Sequence, residues 1–311
     1  MSEGKPVVYS DAYYVDIGDH VFPTVKYKLV RADLIRNGDL SEDDFVAPRP
    51  ARDEEILLVH ERSYLDKLKK GSLTPEEVAA LELPYSKELV RASYLCVGGT
   101  ILACDIALES GVGIHLGGGF HHAFTDHGEG FCVFNDVAVG IKRSLEDGKI
   151  DKALVIDCDL HQGNGTAAIF KGDERVFTFS IHQQNNYPFF KPPSDLDIGL
   201  PDRTQDKQYL DALDKNIPKT ISAFRPGLII YVAGADPYTG DKIGNLGLTI
   251  EGLKKRDEII FTLAKNYSIP IAVVLAGGYA ERQEDTVKIH YNTITTVLKF
   301  AKEYSKNGQR V

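Results

Sequence analysis

Two carboxylates and an imidazole follow an apolar run at alternating positions. Residues 153–156 are rich in β-branched side chains, which predicts a buried strand of a parallel sheet. Asp157, Asp159 and His161 come directly afterwards, and in an extended chain their side chains point to the same side. Because three such groups are costly to bury alone, a divalent cation is their simplest partner. The alternative is an acidic loop that caps the next helix.

A further candidate ligand follows a second apolar run. Asp236 comes shortly after residues 228–233, and together with Asp159 and His161 it would complete a set of three ligands. Three protein ligands and an open position are typical of catalytic zinc, and two carboxylates would neutralise the ion. The open position would hold a water and a substrate carbonyl oxygen. The alternative for Asp236 is a helix N-cap before Pro237.

Two adjacent histidines, His121 and His122, lie in a glycine-rich segment and are candidates for proton transfer. Asp157 can hold one ring and raise its pKa, and Asn164 is a candidate partner for the other. Since an amide adds no charge, the second ring would have the lower pKa, as an acid–base division of labour requires. The alternatives are a second metal site or a pair that stabilises the loop.

Aromatic residues near glycines are candidates for a substrate channel. Tyr279 follows Gly277 and Gly278, and its phenol can donate a hydrogen bond to a developing oxyanion. Phe131 follows Gly130, and the loop 182–193 carries three more aromatic rings. These rings would wall a narrow apolar channel, with ordinary core packing as the alternative. The predicted channel residues are Gly130, Phe131, Tyr187, Gly277 and Gly278, with Phe189 and Phe190 as further wall residues.

Strand-like runs alternate with helical patterns along the chain. Strands are predicted at 7–9, 113–116, 153–156, 176–181, 228–233 and 271–275. Helical turns are predicted at 54–68, and helices at 86–109, 135–146, 208–224, 250–265 and 285–304. This alternation predicts a parallel sheet covered on both faces, with ligands beyond the carboxyl ends of its strands. Gly98 and Gly99 indicate close packing of the second helix, Gly111 its end, and the whole chain, 1–311, is predicted to be a single domain.

Composition narrows the class of protein. The 311 residues are 43% hydrophobic and 26% charged, an ordinary globular balance. A net charge of −9 without a basic run disfavours a direct nucleic-acid partner. The four cysteines form no CxxC pair, which predicts reduced thiols. Without a targeting signal or an apolar run of membrane-span length, we expect a cytoplasmic protein with no membrane partner.

Four motifs together resemble the zinc-dependent histone deacetylase family over residues 9–298. They are GGGFHHA at 117–123, GFCVFND at 130–136, DCDLHQGNG at 157–165 and GGY at 277–279. Within the family the chain is most similar to the class IV branch. The features that carry this closer similarity are GF at 119–120, QGN at 162–164, GAD at 234–236, GD at 240–241, KRDE at 255–258 and GY at 278–279.

The resemblance implies an α/β fold, a three-layer α/β/α sandwich with a largely parallel sheet of about eight strands, shared with arginases. It implies one zinc ion on the three ligands above. It pairs His121 with Asp157, makes His122 the general base and acid beside Asn164, and makes Tyr279 the residue that stabilises the transition state. Potassium or another monovalent cation would be held by Asp157, Asp159, His161, Ser180 and Ile181.

The implied activity is hydrolysis of the amide of an acylated lysine in a peptide or protein, by a deacetylase or a long-chain deacylase. Residues 81–86 lack the aspartate by which many class I members hold the substrate backbone. The aromatic rings of 182–193 and the glycines 117–119 predict a cavity for a long acyl chain, unless the glycines only permit a backbone turn. The alternatives are a polyamine-type deacetylase, a non-hydrolytic acyl-lysine scaffold and an arginase-like two-metal enzyme.

Overall fold

In the computed structural model, which describes residues 7–307, eight strands form one parallel sheet. Its order is β2-β1-β3-β8-β7-β4-β5-β6. The strands are β1 (Val7–Val8), β2 (Phe45–Val46), β3 (Val112–His115), β4 (Ala153–Asp157), β5 (Val176–Gln183), β6 (Leu196–Leu200), β7 (Leu228–Val232) and β8 (Ile271–Val274). Parallel strands need long crossover connections, and here most of these connections contain helices.

Both faces of the sheet are buried. In β4, Leu154 and Ile156 contribute to one hydrophobic core and Val155 to the other. In β7, Ile229 and Ile230 divide between the same two cores. This alternation follows from the two-residue period of a strand, and it explains why the strands read as continuous apolar runs. The predicted three-layer α/β/α sandwich is confirmed.

The helices form the two outer layers. Helices α1, α8, α9 and α10 cover one face, and α5 and α6 cover the other together with the shorter α2, α3 and α7. The bounds of the helices are α1 (Lys26–Arg36), α2 (Asp53–Ile56), α3 (Arg62–Lys70), α4 (Pro75–Leu81), α5 (Lys87–Ser110), α6 (Asp136–Glu146), α7 (Asn164–Phe170), α8 (Asp206–Phe224), α9 (Ile250–Asn266) and α10 (Gln283–Asn307).

The helical turns predicted at 54–68 belong to two helices, α2 and α3, and the chain between them leaves the helical path. The N–H of Glu61 donates a hydrogen bond to the Thr125 carbonyl, and the ring of His60 accepts one from the N–H of Asn135. These bonds hold residues 60 and 61 against distant segments instead of within one continuous helix.

Helix α5 packs closely against its neighbours at the predicted glycine pair, with backbone at Gly98 and with the His115 ring at Gly99. A Cβ atom added at Gly98 would overlap the carbonyl oxygen of Arg49, and the N–H of Ala51 donates to the Tyr94 carbonyl of the same helix. Gly111 ends the helix with a φ of 86°, in the left-handed region that favours glycine. This close contact fixes the segment 49–51 on the outer face of α5.

The prediction that no apolar run has the length of a membrane span is wrong for α5. Among residues 7–307, this 24-residue helix is long and apolar enough to cross a membrane by length and composition. Its apolar side chains, including Val97 and Ile101, instead pack in the core beside α6. The length and hydrophobicity of α5 are those of a central core helix buried by the sheet.

We expect Gly98→Ala to destabilise the protein, because the added methyl group meets a backbone oxygen that cannot move independently of the chain. Overpacking of this kind typically costs about 1–3 kcal/mol. Urea unfolding followed by circular dichroism measures the change. Gly227→Ala is the matched control, since its new Cβ would lie 3.5 Å from Ile150, an ordinary contact. Equal stability of the two variants would contradict the packing described for α5.

Candidate active site

The candidate residues meet at one edge of the sheet. Asp157 ends β4 and pairs in register with Ser180 of β5 and Val232 of β7. Asp236 follows β7, the segment 277–279 follows β8, and the glycine-rich segment 117–122 follows β3. Because parallel strands end at the same edge, residues far apart in sequence meet beside β4.

Asp159, His161 and Asp236 form a buried group whose candidate ligand atoms lie within 4.8 Å of one another. Nδ1 of His161 lies 3.2 Å from Oδ1 of Asp159 and 3.3 Å from Oδ2 of Asp236. The N–H of Leu160 donates to Oδ1 of Asp236, while Oδ2 is buried without a hydrogen-bond partner among the described residues. Two carboxylates, one imidazole and an unpartnered oxygen fit a divalent cation such as zinc.

Asp236 is not a helix N-cap, since α9 begins only at Ile250. Two glycines instead leave room around its carboxylate. A Cβ atom at Gly277 would overlap Oδ2 of Asp236, and one at Gly234 would lie 2.5 Å from Oδ2 of Asp159. The N–H of Gly277 also donates to Oδ2 of Asp159 at 2.9 Å. Larger residues at these two positions would fill the space in which the carboxylates converge.

The buried group has strongly shifted pKa values. Burial, followed by repulsion from Asp159, raises the pKa of Asp236 to about 7. Burial lowers the pKa of His161, but the neighbouring carboxylates of Asp159 and Asp236 outweigh it and raise that pKa to about 10. Because metal binding requires ionised carboxylates and a neutral imidazole, metal affinity is expected to fall at low pH.

The two histidines have the predicted partners. Nδ1 of His121 lies 2.6 Å from Oδ2 of Asp157, and Nδ1 of His122 lies 2.6 Å from Oδ1 of Asn164. The two Nε2 atoms are 3.1 Å apart. Both rings are buried and line the same cavity as Asp159, where their Nε2 atoms are within hydrogen-bond distance of each other.

The two rings differ in protonation. Burial lowers the pKa of His121, but the charges of Asp157 and Asp159 outweigh it and raise that pKa to about 9. Burial and then the neighbouring charge of His121 lower the pKa of His122 well below its usual value. At neutral pH, His121 is therefore an imidazolium and His122 a neutral imidazole that can accept a proton.

Tyr279 lines the cavity opposite the histidines. Its N–H donates to Oδ2 of Asp241 at 2.8 Å, which fixes the backbone at this position. Its ring packs against Phe22 and Phe131, with centroids 6.3 and 5.9 Å away. The cavity between these groups is lined by Phe22, Gly119, Phe120, His121, His122, Gly130, Phe131, Cys132, Asp159, Ala276, Gly277 and Tyr279.

A tight turn brings Gly130 and Phe131 to the cavity. Both have positive φ values, 51° and 67°. A Cβ atom at Gly130 would lie 2.9 Å from Cδ2 of His122 and 3.0 Å from the ring of Tyr187. Tyr187 itself packs edge-on against His122, with centroids 5.0 Å apart. Gly130 and Tyr187 therefore lie beside the histidine pair, as predicted for the channel, although Tyr187 is not among the residues that line the cavity.

Two predicted features of a long-chain cavity are wrong. Phe189 and Phe190 have exposed fractions of 104% and 76%, so they do not wall a cavity. Of residues 117–119 only Gly119 lines the site cavity, and an added Cβ would meet His115 at Gly117 and Ala276 at Gly119. Close packing of the backbone turn accounts for these three glycines, so they do not wall a long-chain cavity.

The candidate residues for a monovalent cation lie on adjacent segments. Ser180 pairs in register with Asp157, and its Oγ lies 3.0 Å from Nδ1 of His182. Ile181 follows Ser180 in β5, while Asp159 and His161 belong to the segment after β4. The grouping is compatible with a cation held by main-chain oxygens, and this site stays a prediction.

Four residues near the site were missed from the sequence. Lys26 is fully buried and donates through Nζ to the Ala276 carbonyl at 2.5 Å, and burial lowers its pKa to about 8. Phe22 and Asp241 support Tyr279, and Glu129 contacts Asn164. A lysine in a helical pattern normally indicates a solvated face, so nothing in the sequence marked Lys26. The position of Glu129 between Gly128 and Gly130 was the one available signal.

Comparison with known proteins agrees with this geometry. The family model of the histone deacetylase domain matches residues 20–294. Histone deacetylase 2 of Arabidopsis thaliana is 33% identical over 287 residues, which cover 88% of this chain and 74% of that protein. The chain belongs to the histone deacetylase family. Because this family is zinc-dependent, the Asp159, His161 and Asp236 group is its expected zinc site.

Other proteins are also similar to the chain. An uncharacterized protein of Picosynechococcus is 38% identical over 288 residues, covering 92% of this chain and 96% of that protein. The acetoin utilization protein AcuC of Staphylococcus aureus is 29% identical over 295 residues, covering 87% and 76%. The crystal structure of the HDA15 HD domain has a TM-score of 0.77 at 22% identity, covering 95% and 91%. This last likeness shows the shared fold.

We expect Asp157→Asn to move the basic limb of the pH–rate profile to lower pH. Asp157 raises the pKa of His121, so a neutral amide lets that ring lose its proton earlier as pH rises. The profile of kcat/KM for amide hydrolysis between pH 6 and about pH 10 measures the shift. Asp211→Asn, in an exposed pair with Lys207, is the control. An unchanged basic limb would mean that protonated His121 has no part in the reaction.

Proposed function

We propose that this deacetylase-family protein hydrolyses the amide of an acylated lysine side chain in a peptide or protein. The observation that carries the proposal is the geometry of His121 and His122, which pair with Asp157 and Asn164 and line the same cavity as Asp159 and Tyr279. A neutral base beside a fixed cation suits attack of water on a carbonyl that then becomes an oxyanion.

Each residue has a distinct role in the proposed reaction. A zinc ion bound by Asp159, His161 and Asp236 supplies Lewis acidity toward the carbonyl and the attacking water. The neutral Nε2 of His122 takes the proton of that water and later gives it to the leaving amine. Its Nδ1 proton stays in the hydrogen bond to Asn164.

Two fixed groups stabilise the charge that develops on the substrate. Tyr279 donates its phenol proton in a hydrogen bond to the developing oxyanion. His121, held as an imidazolium by Asp157, contributes positive charge beside the reacting atoms without moving a proton. Both groups are already in position before the reaction, which is the arrangement that makes such electrostatic stabilisation effective.

An acyl-lysine substrate suits the surroundings of the site. The net charge of −9 favours a basic peptide, and the aromatic rings of Phe131 and Tyr187 suit the methylene chain of a lysine. Asn164 beside the general base supports placement near the class IV branch. A monovalent cation at Asp157, Asp159, His161, Ser180 and Ile181 belongs to the same proposal. The four free, buried cysteines support a reducing compartment such as the cytoplasm.

An apolar cavity beside the site supports an acyl group longer than acetyl. Its lining is mostly apolar, and it shares Phe22, Phe120 and Phe131 with the site cavity. Each acyl methylene that it buries would contribute about 0.8 kcal/mol. This cavity replaces the aromatic loop and the glycines as the basis for a long-chain preference.

The substrate is tested with one peptide carrying acetyl-, octanoyl- or myristoyl-lysine, alongside an N-acetylated polyamine. We expect kcat/KM to be highest for a peptide and to rise from acetyl to octanoyl. A faster reaction of the polyamine would reject the acyl-lysine assignment, and no hydrolysis of any compound would favour a binding scaffold. A steady fall with chain length would reject only the role of the apolar cavity.

Tyr279→Phe tests the proposed mechanism in the same assay. It should lower kcat by about 100- to 1,000-fold, because one oxyanion donor is lost. The zinc content should remain that of the wild type, since the phenol is not a ligand. The variant also controls for contaminating deacetylases, whose activity it would leave unchanged. A rate within a few-fold of wild type would make the ring a structural element only.

A further inference from the structure

Asn164 lies between the proposed general base and a carboxylate. Its Oδ1 is 2.6 Å from Nδ1 of His122, and its Nδ2 donates to Oε1 of Glu129, also at 2.6 Å. Asn164 is buried, whereas Glu129 retains a side-chain exposed fraction of 21% near the entrance of the site. His122, Asn164 and Glu129 therefore form a continuous chain of hydrogen bonds from the cavity toward solvent.

The carboxylate determines which way the amide points. An ionised carboxylate only accepts hydrogen bonds, so the NH₂ group of Asn164 must face Glu129 and its oxygen must face His122. That oxygen requires a proton on Nδ1 of His122, which leaves Nε2 unprotonated. A flipped amide would donate to Nδ1 and would place the proton on Nε2, where the ring could no longer act as a base.

Glu129 is itself held in place. Its backbone N–H and carbonyl both pair with Cys132 across the tight turn that presents Gly130 and Phe131. The phenol of Tyr187 donates to the same Oε1 at 2.7 Å, and Nε2 of His127 lies 3.4 Å from Oε2. Partial burial would raise the pKa of Glu129, but these hydrogen bonds hold it below its usual value. Glu129 is therefore ionised at neutral pH.

We infer that Glu129 is a positioning residue, which acts through Asn164 to hold His122 in the tautomer with a free Nε2. Its carboxylate also places a negative charge on the side of the Asn164 amide that faces away from His122. An aspartate at position 164 would place that charge directly beside the His122 ring. The inference rests on the proposed role of His122 as general base. The turn alone does not require a charged residue before Gly130, and the positioning of Asn164 gives Glu129 a function there.

The tautomer of His122 is the most direct readout. In zinc-loaded protein with ¹⁵N-labelled histidine, long-range ring correlations distinguish an Nδ1–H from an Nε2–H imidazole, and the spectrum of His122→Asn identifies the signal. We expect wild type to show Nδ1–H and Glu129→Ala to show a mixture or Nε2–H. Glu82→Gln is the control, because Glu82 is an exposed carboxylate whose charge acts on Glu129 without bonding to Asn164. An unchanged tautomer in Glu129→Ala would overturn the inference.

Hydrolysis kinetics with an acyl-lysine peptide test whether loss of this tautomer slows the reaction. Glu129→Ala should lower kcat by about 10- to 100-fold, within the range of general-base catalysis, with a smaller change in KM. Glu129→Gln keeps an acceptor for the Asn164 amide and should recover part of that loss. Tyr187→Phe removes the other donor to Oε1 and should leave the His122 tautomer as in wild type.

Moving the negative charge from position 129 to position 164 distinguishes a positioning role of Glu129 from a general loss of structure. Asn164→Asp alone puts two carboxylates in contact and should be strongly impaired. Adding Glu129→Gln lets a glutamine amide donate to the new aspartate, which still accepts from Nδ1 of His122. The double variant should therefore be at least tenfold more active than Asn164→Asp, and additive losses would contradict the inference.

The two proposals fail in different ways. If wild-type protein hydrolyses no acyl-lysine peptide, the proposed function fails, while the ring spectra still decide what Glu129 does to His122. If wild type is active and Glu129→Ala matches it in rate and tautomer, only the role of Glu129 is rejected.

Discussion

The site is built around two carboxylates and an imidazole that are buried together. Asp159 and Asp236 are almost inaccessible to solvent, and Oδ2 of Asp236 has no hydrogen-bond partner in the described part of the chain. Burying such charges without compensation is strongly unfavourable, and burial accordingly raises the pKa of Asp236. A zinc ion bound here would supply a positive charge that both carboxylates share. The surrounding backbone is arranged so that these two carboxylates and the imidazole can be buried together.

The parallel sheet brings the two carboxylates and the imidazole together because its strands end at one edge. Segments after β4, β7 and β8 converge at one edge, and Gly234 and Gly277 leave space where any side chain would collide with the ligands. The same carboxylates extend their influence to the histidine pair. Asp157 and Asp159 keep His121 charged, and that charge helps to keep His122 neutral. The metal site and the acid–base pair therefore form one electrostatic unit.

Much of this arrangement could be predicted from the sequence, because it follows from local patterns. Apolar runs that end in Asp157, Asp236 or Tyr279 mark strand ends, and a parallel sheet brings such ends together. The three-layer fold and the convergence of the three candidate ligands follow from the same patterns. Two strands could not be predicted from the sequence, because β2 has only two residues and the edge strand β6 has the partly polar sequence LDIGL. The break between α2 and α3 depends on bonds to residues 125 and 135, far along the chain.

The exposure of individual side chains and the contacts between distant segments could not be predicted from the sequence, and both affect the site. Phe189 and Phe190 look like channel walls by composition, but their rings point into solvent. Lys26 looks like a surface residue, yet it is buried against the carbonyl of Ala276. Glu129 reaches Asn164 only because the chain folds back at a turn with two positive φ values, one of them at Phe131. Periodicity carries no information about such pairings.

The most direct test of the central claim is the position of the metal itself. Crystals of zinc-loaded protein, measured on both sides of the zinc absorption edge, would give an anomalous difference map. We expect one strong peak, with ligand distances of about 2.0–2.2 Å to oxygens of Asp159 and Asp236 and to a ring nitrogen of His161. The absence of a peak among these residues would contradict the account. Two peaks about 3.5–4 Å apart would indicate a two-metal site instead.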